Sequence, residues 1–307
     1  MSGRVFSLSG LAGADRSRVA LAFAALVLGA VAMGASPIFV RLADVGPYAS
    51  AFWRCFLALP FLALWALAEK GPPLSAGIDR SVWLSGLFFA GDLFFWHLAI
   101  LATTIANATF LATTAPIWVT FGAWLILGEV IGTRTLFGLV LCLLGGAALI
   151  GQSYGFAPQQ LLGDIYGLIT AVFFGCYMLA IRAARTHLSA GRLAFVSTAI
   201  TAACLFVVAI ALEPFLLPRS LGGVAALLAL ALVSQVGGQG LLAVALGTLP
   251  ATFSSLVIFL EAIAAAAFGW LILGEALGPL QLGGGVLILI GIWVTRPRAG
   301  RAAGVGL

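Results

Sequence analysis

Apolar residues fall into ten long runs, separated by short polar or glycine- and proline-bearing breaks. The runs are Val19–Val40, Tyr48–Ala68, Val82–Thr103, Ile105–Leu127, Thr135–Gly151, Gly163–Arg182, Leu193–Leu212, Val224–Leu246, Ala251–Leu273 and Leu280–Thr295. Each approaches the ~20 residues that a helix needs to cross bilayer hydrocarbon. The breaks include Gly46-Pro47, Gly71-Pro72-Pro73, Pro158, Glu213-Pro214 and Gly278-Pro279. The pattern predicts an all-α polytopic membrane protein with ten transmembrane helices. The first run is longer than the apolar core of a cleavable leader, and no cleavage site follows it.

Composition excludes the other classes. Of 307 residues, 63% are hydrophobic and 8% are charged. A soluble globule cannot hide that much apolar surface, and disordered chains are polar and charged. The net charge of +5 follows membrane topology rather than nucleic-acid binding. Twelve basic residues, among them Arg4, Lys70, Arg134, Arg185 and Arg298, fall on one side of a ten-span arrangement, against Arg41, Arg54 and Arg219 on the other. Positive residues favour the cytoplasmic side, so both termini are placed there. The four cysteines are scattered through apolar runs without metal-ligand spacing, so they read as packing residues, with no metal and no disulfide.

The two halves of the chain resemble each other. Trp124-Leu-Ile-Leu-Gly-Glu129 recurs as Trp270-Leu-Ile-Leu-Gly-Glu275, and Gly132, Leu136 and Gly138 align in the same register with Gly278, Leu282 and Gly284. A weaker echo joins Gly34 and Arg41 to Gly175 and Arg182. Five spans per half is an odd number, so the second copy must be inverted. Residues 19–151 and 163–295 form the two repeats, with tails at 1–18 and 296–307 assigned to the cytoplasm. Inverted repeats around a midplane cavity are a feature of secondary transporters.

The repeated Trp-Leu-Ile-Leu-Gly-Glu, Ala115-Pro116 in the fourth span and Leu260-Glu261-Ala262 in the ninth resemble the EamA-type members of the drug/metabolite transporter superfamily. Gly91-Asp92, Trp96-His97 and Ala106-Asn107-Ala108-Thr109 are similar to one bacterial branch of it. Ala262 stands where the family often has proline. The resemblance implies export of amino acids, metabolites or drugs across the bacterial inner membrane. A ten-helix exporter of aromatic and other neutral amino acids belongs to the group.

Polar groups inside apolar runs mark candidate sites, because a charge at the bilayer centre costs about 2.5–3.5 kcal/mol. Asp92 shares a helix face with Ser85, Phe88, Trp96 and Thr103, and either receives a solute ammonium or acts as protonated structural glue. His97 lies off that face and is either a proton relay or a packing residue. Thr109, Thr113, Pro116 and Thr120 form a stripe that Pro116 should kink. Gln235 and Gln239 share a face and suit either a zwitterion or interhelical bonding. Glu261 shares a face with Ser254 and is the second candidate, after Asp92, for a proton-titrating or structural carboxyl. Glu129 and Glu275 end helices and are assigned to anchoring or gating. Gly34-Ala35-Ser36-Pro37 should weaken the first span, and Gly175-Cys176-Tyr177 is its counterpart in the sixth. Ser36 and Tyr177 thereby join the cavity candidates.

The leading expectation is a secondary transporter that exports small amphipathic metabolites, aromatic or other neutral amino acids among them, by alternating access. Its partners are a small-molecule solute, the lipid bilayer and protons as a candidate coupling ion. No oligomeric partner and no cofactor are assigned. No GxxxxGK[ST] motif occurs for ATP hydrolysis. A cationic-drug exporter on the same fold is the alternative. An intramembrane enzyme or a passive channel is remote, because His97 and His187 are the only histidines and no HExxH or GxSxG occurs.

Overall fold

The computed structural model describes residues 8–69, 77–103, 108, 111–150, 160–273 and 278–296. Every regular element among them is helical. The first span runs Leu8–Gly34 and resumes as Ser36–Leu42. The second is Pro47–Ala68, the third Arg80–Ala102, and the fourth ends in Ala115–Leu127. Thr133–Ile150, Leu161–Ala184 and Ala190–Leu212 are the fifth to seventh. The eighth stacks Leu221–Ala229, Leu230–Gln239 and Gly240–Leu246 end to end. The ninth joins Ala251–Val257 to Leu260–Leu273, and Pro279–Thr295 is the tenth. Seven of these are long and apolar enough to cross a membrane, while the fourth, fifth and tenth are shorter apolar helices. Outward faces are apolar, with Leu21, Leu64, Ile126, Val207 and Leu271 exposed, as befits a protein whose solvent is lipid.

The halves interlock rather than fold as separate bundles. The third span packs on the sixth, and the eighth packs on the first. Likewise the fourth meets the sixth as the ninth meets the first, and the third meets the seventh as the eighth meets the second. The second with seventh, fourth with ninth, and fifth with tenth are self-matched pairs. Exchanging the halves therefore maps the main packings onto one another. With five spans in each half, that exchange inverts one repeat against the other.

Lipid supplies no hydrophobic drive between helices, so close approach must come from small residues. The fifth and tenth spans supply it with glycine. A Cβ on Gly145 would stand 2.6 Å from the Gly284 carbonyl, and one on Gly284 would stand 2.6 Å from the Gly145 carbonyl. The same reciprocity joins Gly138 and Gly291, at 2.7 and 2.8 Å.

Carboxylates fasten helix ends across the seam. A helix leaves its first N–H groups without internal partners, and a facing acid satisfies them. Glu69, after the second span, accepts from the backbone N–H of Gly191 at 3.0 Å and of Arg192 at 3.3 Å, at the start of the seventh. In return, Glu213 at the end of the seventh accepts from the Tyr48 N–H at 2.8 Å. Glu129 accepts from the Ala251 and Thr252 N–H groups at 2.7 and 3.1 Å, and from the Thr252 hydroxyl at 2.6 Å. Gly128 makes that possible: its φ of +66° ends the fourth span in the left-handed region, which favours glycine. The Leu-Gly-Glu close of the repeated motif thus has a local reason in the first copy. In the second copy, Glu275 lies outside the described residues.

Candidate functional site

A cavity of about 160 Å³ sits at the seam of the two halves. Helix interruptions shape it. In the fourth span, the Thr114 N–H bonds to the Leu111 carbonyl and the Ile117 N–H to that of Thr114, both three residues back. In the ninth, Phe259 bonds to Leu256 and Ala262 to Phe259 in the same way, 145 positions on. These tight turns stop one helix and start another. Pro116 lies in the first turn of the restarted helix, where its missing N–H costs nothing. The ninth span breaks with Ala262 in place of the family's proline.

The expected pairing of weak points in the first and sixth spans is corrected. The first does break at Ala35, but Leu161–Ala184 is continuous. Gly175 serves close packing instead, since a Cβ there would stand 3.0 Å from Trp118 Cβ. The equivalent interruptions are those of the fourth and ninth spans, and both border the cavity through Thr113, Pro116, Ile258 and Glu261.

The third span presents Phe89, Asp92, Leu93 and Trp96 to the cavity, a helical stripe at spacings of three and four. Phe88 is one position off that stripe and packs edge-on against Phe173 of the sixth span. Ser85 donates to Ser197 at 2.9 Å, and Thr103 donates to Asp164 at 2.8 Å. Tyr177 stands behind the lining, its ring stacked on Phe89 with centroids 4.7 Å apart. His97 bonds through Nδ1 to the Leu93 carbonyl and packs against Tyr48 and Trp96. It does not line the cavity.

Ser36, Thr113, Pro116, Gln239 and Glu261 all line it. Ser255 lines it in place of Ser254, because the tight turn at Ile258-Phe259 interrupts the helical phase between Ser254 and Glu261. Ser254 is fully buried beside it. Thr120 is buried but does not line it, and Thr109 lies outside the described residues.

The eighth span is π-helical over Leu230–Gln239, the stretch that holds both glutamines. π segments have i→i+5 bonds and often mark functional sites. Gln239 reaches the cavity, while Gln235 turns to the second and seventh spans. Two buried oxygens at the lining, Thr170 Oγ1 and Gln239 Oε1, have no hydrogen-bond partner among the described residues.

Arg54 is the residue that sequence reasoning misplaced. Counted there with Arg41 and Arg219 as an arginine of the less basic side, it is 8% exposed and lies in the second span, lining the cavity with Asp92 and Glu261. Its Nε donates to Gln235 Oε1 at 3.0 Å, and Gln235 Nε2 donates to Thr198 at 3.1 Å. Its position seven residues in from Pro47, about 10 Å of helix, was the available signal. The cavity therefore combines one cation, two carboxyl groups and the rings of Phe89, Trp96, Phe174 and Phe259.

Comparison with known proteins agrees with this architecture. The EamA-like transporter family matches twice, at residues 20–151 and 161–296. A pseudopaline exporter of Pseudomonas aeruginosa is 28% identical over 227 residues, covering 73% of this chain and 75% of its own. An uncharacterized transporter of Archaeoglobus fulgidus is 26% identical over 271 residues, covering 88% of this chain and 94% of its own. One crystal structure superposes with a TM-score of 0.78 at 19% identity, over 91% of this chain and 96% of that one, a likeness of fold. The chain belongs to the EamA-like transporter family of the drug/metabolite transporter superfamily, and is a multi-pass membrane transporter rather than an enzyme.

Proposed function

We propose that this transporter exports small amphipathic metabolites, aromatic or other neutral amino acids in particular, across the bacterial inner membrane by alternating access. The observation that carries the reading is the composition of the seam cavity: Arg54 opposite in sign to Asp92 and Glu261, inside an aromatic wall. A zwitterion with an apolar side chain matches both features. Size points the same way. An engineered cavity of ~150 Å³ holds benzene, so about 160 Å³ suits a solute with one ring better than a multi-ring drug.

The burial pattern supports a gated cavity. Ala251–Phe259, the first stretch of the ninth span, is buried throughout, whereas Glu261–Ile263 is only half-buried. Glu129 fastens the buried end, and Glu275 is assigned the equivalent place by the repeat. With both termini cytoplasmic, the fastened end faces the cytoplasm and the cavity belongs to an outward-facing state. Asp92 and Glu261 are the candidate proton carriers. His97, away from the lining, has the weaker claim.

Efflux from proteoliposomes tests the proposal. Labelled phenylalanine and leucine should leave faster than from protein-free vesicles, and a pH gradient should alter the rate if protons are coupled. Folded protein that moves no amino acid overturns the substrate assignment. Resistance of expressing cells to cationic drugs, lost on Asp92→Asn alone, favours the alternative reading. Reporter tags on the two termini test the orientation.

A further inference from the structure

We infer that Arg54 is the carboxylate anchor of the cavity, so that carriage requires an acidic group on the solute. This rests on reading the seam cavity as the solute site. Protein hydrogen bonds hold the guanidinium at one edge only. Nε is committed to Gln235, and Gln235 is held in turn by Thr198 on the seventh span. The guanidinium carbon lies 5.7 Å from the centre of the Phe89 ring, which fixes a second side. Nη1 and Nη2 have no protein hydrogen-bond partner among the described residues, and Arg54 lines the cavity.

A guanidinium presents a planar fork of donors that matches a carboxylate with two parallel bonds. Burying such a cation without a hydrogen-bonded anion is costly. Asp92 and Glu261 border the same cavity, yet neither forms an ion pair within 4.0 Å with Arg54 among the described residues. They remain available for the opposite end of the solute. The fork takes the acid, the two carboxyl groups face the ammonium, and Phe89 and Trp96 contact the apolar body. Gln235 is the positioning residue: it touches the guanidinium, not the cavity.

The test compares solutes that differ only in the acidic group. Wild-type proteoliposomes should carry phenylalanine more than about tenfold faster than phenethylamine, because a site built for a polar group rejects the analogue that lacks it. Arg54→Gln should cut phenylalanine flux by about tenfold or more, and Arg54→Lys should retain part of it, since the charge survives while the fork is lost. Gln235→Ala should raise KM for phenylalanine more than it lowers the maximal rate. Equal carriage of phenylalanine and phenethylamine by the wild type, which needs no variant to fold, overturns the inference but leaves the export reading standing. If the wild type moves no amino acid, the export reading fails, and binding decides the inference. Thermal stabilisation of the wild type, but not of folded Arg54→Gln, by 3-phenylpropionate upholds the anchor. Equal stabilisation of both, or of neither, overturns it.

Discussion

The fourth and ninth spans break at equivalent places, and the third and eighth, related by the same exchange of halves, do not resemble each other. The third is one unbroken helix with Asp92 at its middle, while the eighth passes through a ten-residue π segment. In the register that aligns Trp124 with Trp270, Asp92 stands opposite Gly238. In that of Glu69 and Glu213, Arg54 stands opposite Thr198, and in that of the two breaks, Glu261 stands opposite Pro116. Each charged group at the cavity thus has an uncharged counterpart. The helix packings and the breaks of the fourth and ninth spans keep the symmetry of the two halves, whereas the π segment of the eighth span and the break in the first have no counterpart. Side-chain chemistry at the cavity has lost it, as the proposed binding of a solute whose two ends differ requires.

If the symmetric frame depends on backbone approach, crowding it should do the greatest damage. Gly284→Leu puts a Cβ 2.6 Å from the Gly145 carbonyl, and backbone cannot swing aside as a side chain does. Overpacking of this kind costs about 1–3 kcal/mol or more. A large fall in the melting temperature of detergent-purified protein, or loss of monodisperse material, is expected. Gly285→Leu, where an added Cβ meets nothing within 4 Å, should behave as wild type.

Next comes the fastening of the seam. Glu129→Ala leaves the Ala251 and Thr252 N–H groups and the Thr252 hydroxyl without their acceptor. Each buried polar group left unsatisfied costs about 1–3 kcal/mol, less here because Glu129 is only half-buried and water can reach the site. Cysteines placed at Ala251 or Thr252 should then react faster with a water-soluble maleimide. An unchanged rate would mean that packing alone closes this end.

How much of this was readable beforehand follows from which physics is local. Ten spans are legible because hydrocarbon demands long apolar runs, and the inversion follows from an odd number of spans with a repeated Leu-Gly-Glu. The misplaced Arg54 is different: a lone arginine near a span end resembles a topology signal until its depth is counted. Phe88 and Phe89 are both apolar, so only packing against Phe173 and Tyr177 separates them. Ser254 gave way to Ser255 because the turn at Ile258-Phe259 has no proline to announce it. Nothing in the composition of Leu230–Gln239 specifies a π helix over an α helix.

A smaller effect is expected at Asp79, the N-cap residue of the third span; at the eighth the N-cap residue is Ser220, which accepts from the Gly223 N–H, while the Asp44 carboxylate takes the Arg219 N–H from outside the helix. Partial burial pushes the Asp79 pKa up, but hydrogen bonds from Ser81 and Val82 and the nearby His187 outweigh it and hold the carboxyl below its usual value. A depressed folded-state pKa adds stability above the unfolded value, and that stability is lost as pH falls through the folded value. Asp79→Ala should cost ~1 kcal/mol at neutral pH. The difference from wild type should shrink on acidification below the ordinary aspartate range.

The smallest expected effect bears most directly on the matched breaks. Proline is the obvious cause of the interruption in the fourth span, yet the ninth makes the same pair of i→i−3 bonds without one. If tertiary packing sets the geometry, Pro116→Ala should leave the break in place. The Thr114 hydroxyl would still donate to the Leu111 carbonyl at 2.6 Å, and Ala115–Leu127 would still start after Thr114. The loss would be chiefly of unfolded-chain stiffness, about 0.4–1 kcal/mol. Phenylalanine efflux should then fall less than about threefold, which at room temperature is under ~1 kcal/mol. A continuous fourth helix in a Pro116→Ala structure, with efflux abolished, would instead make the two halves alike in shape but different in cause.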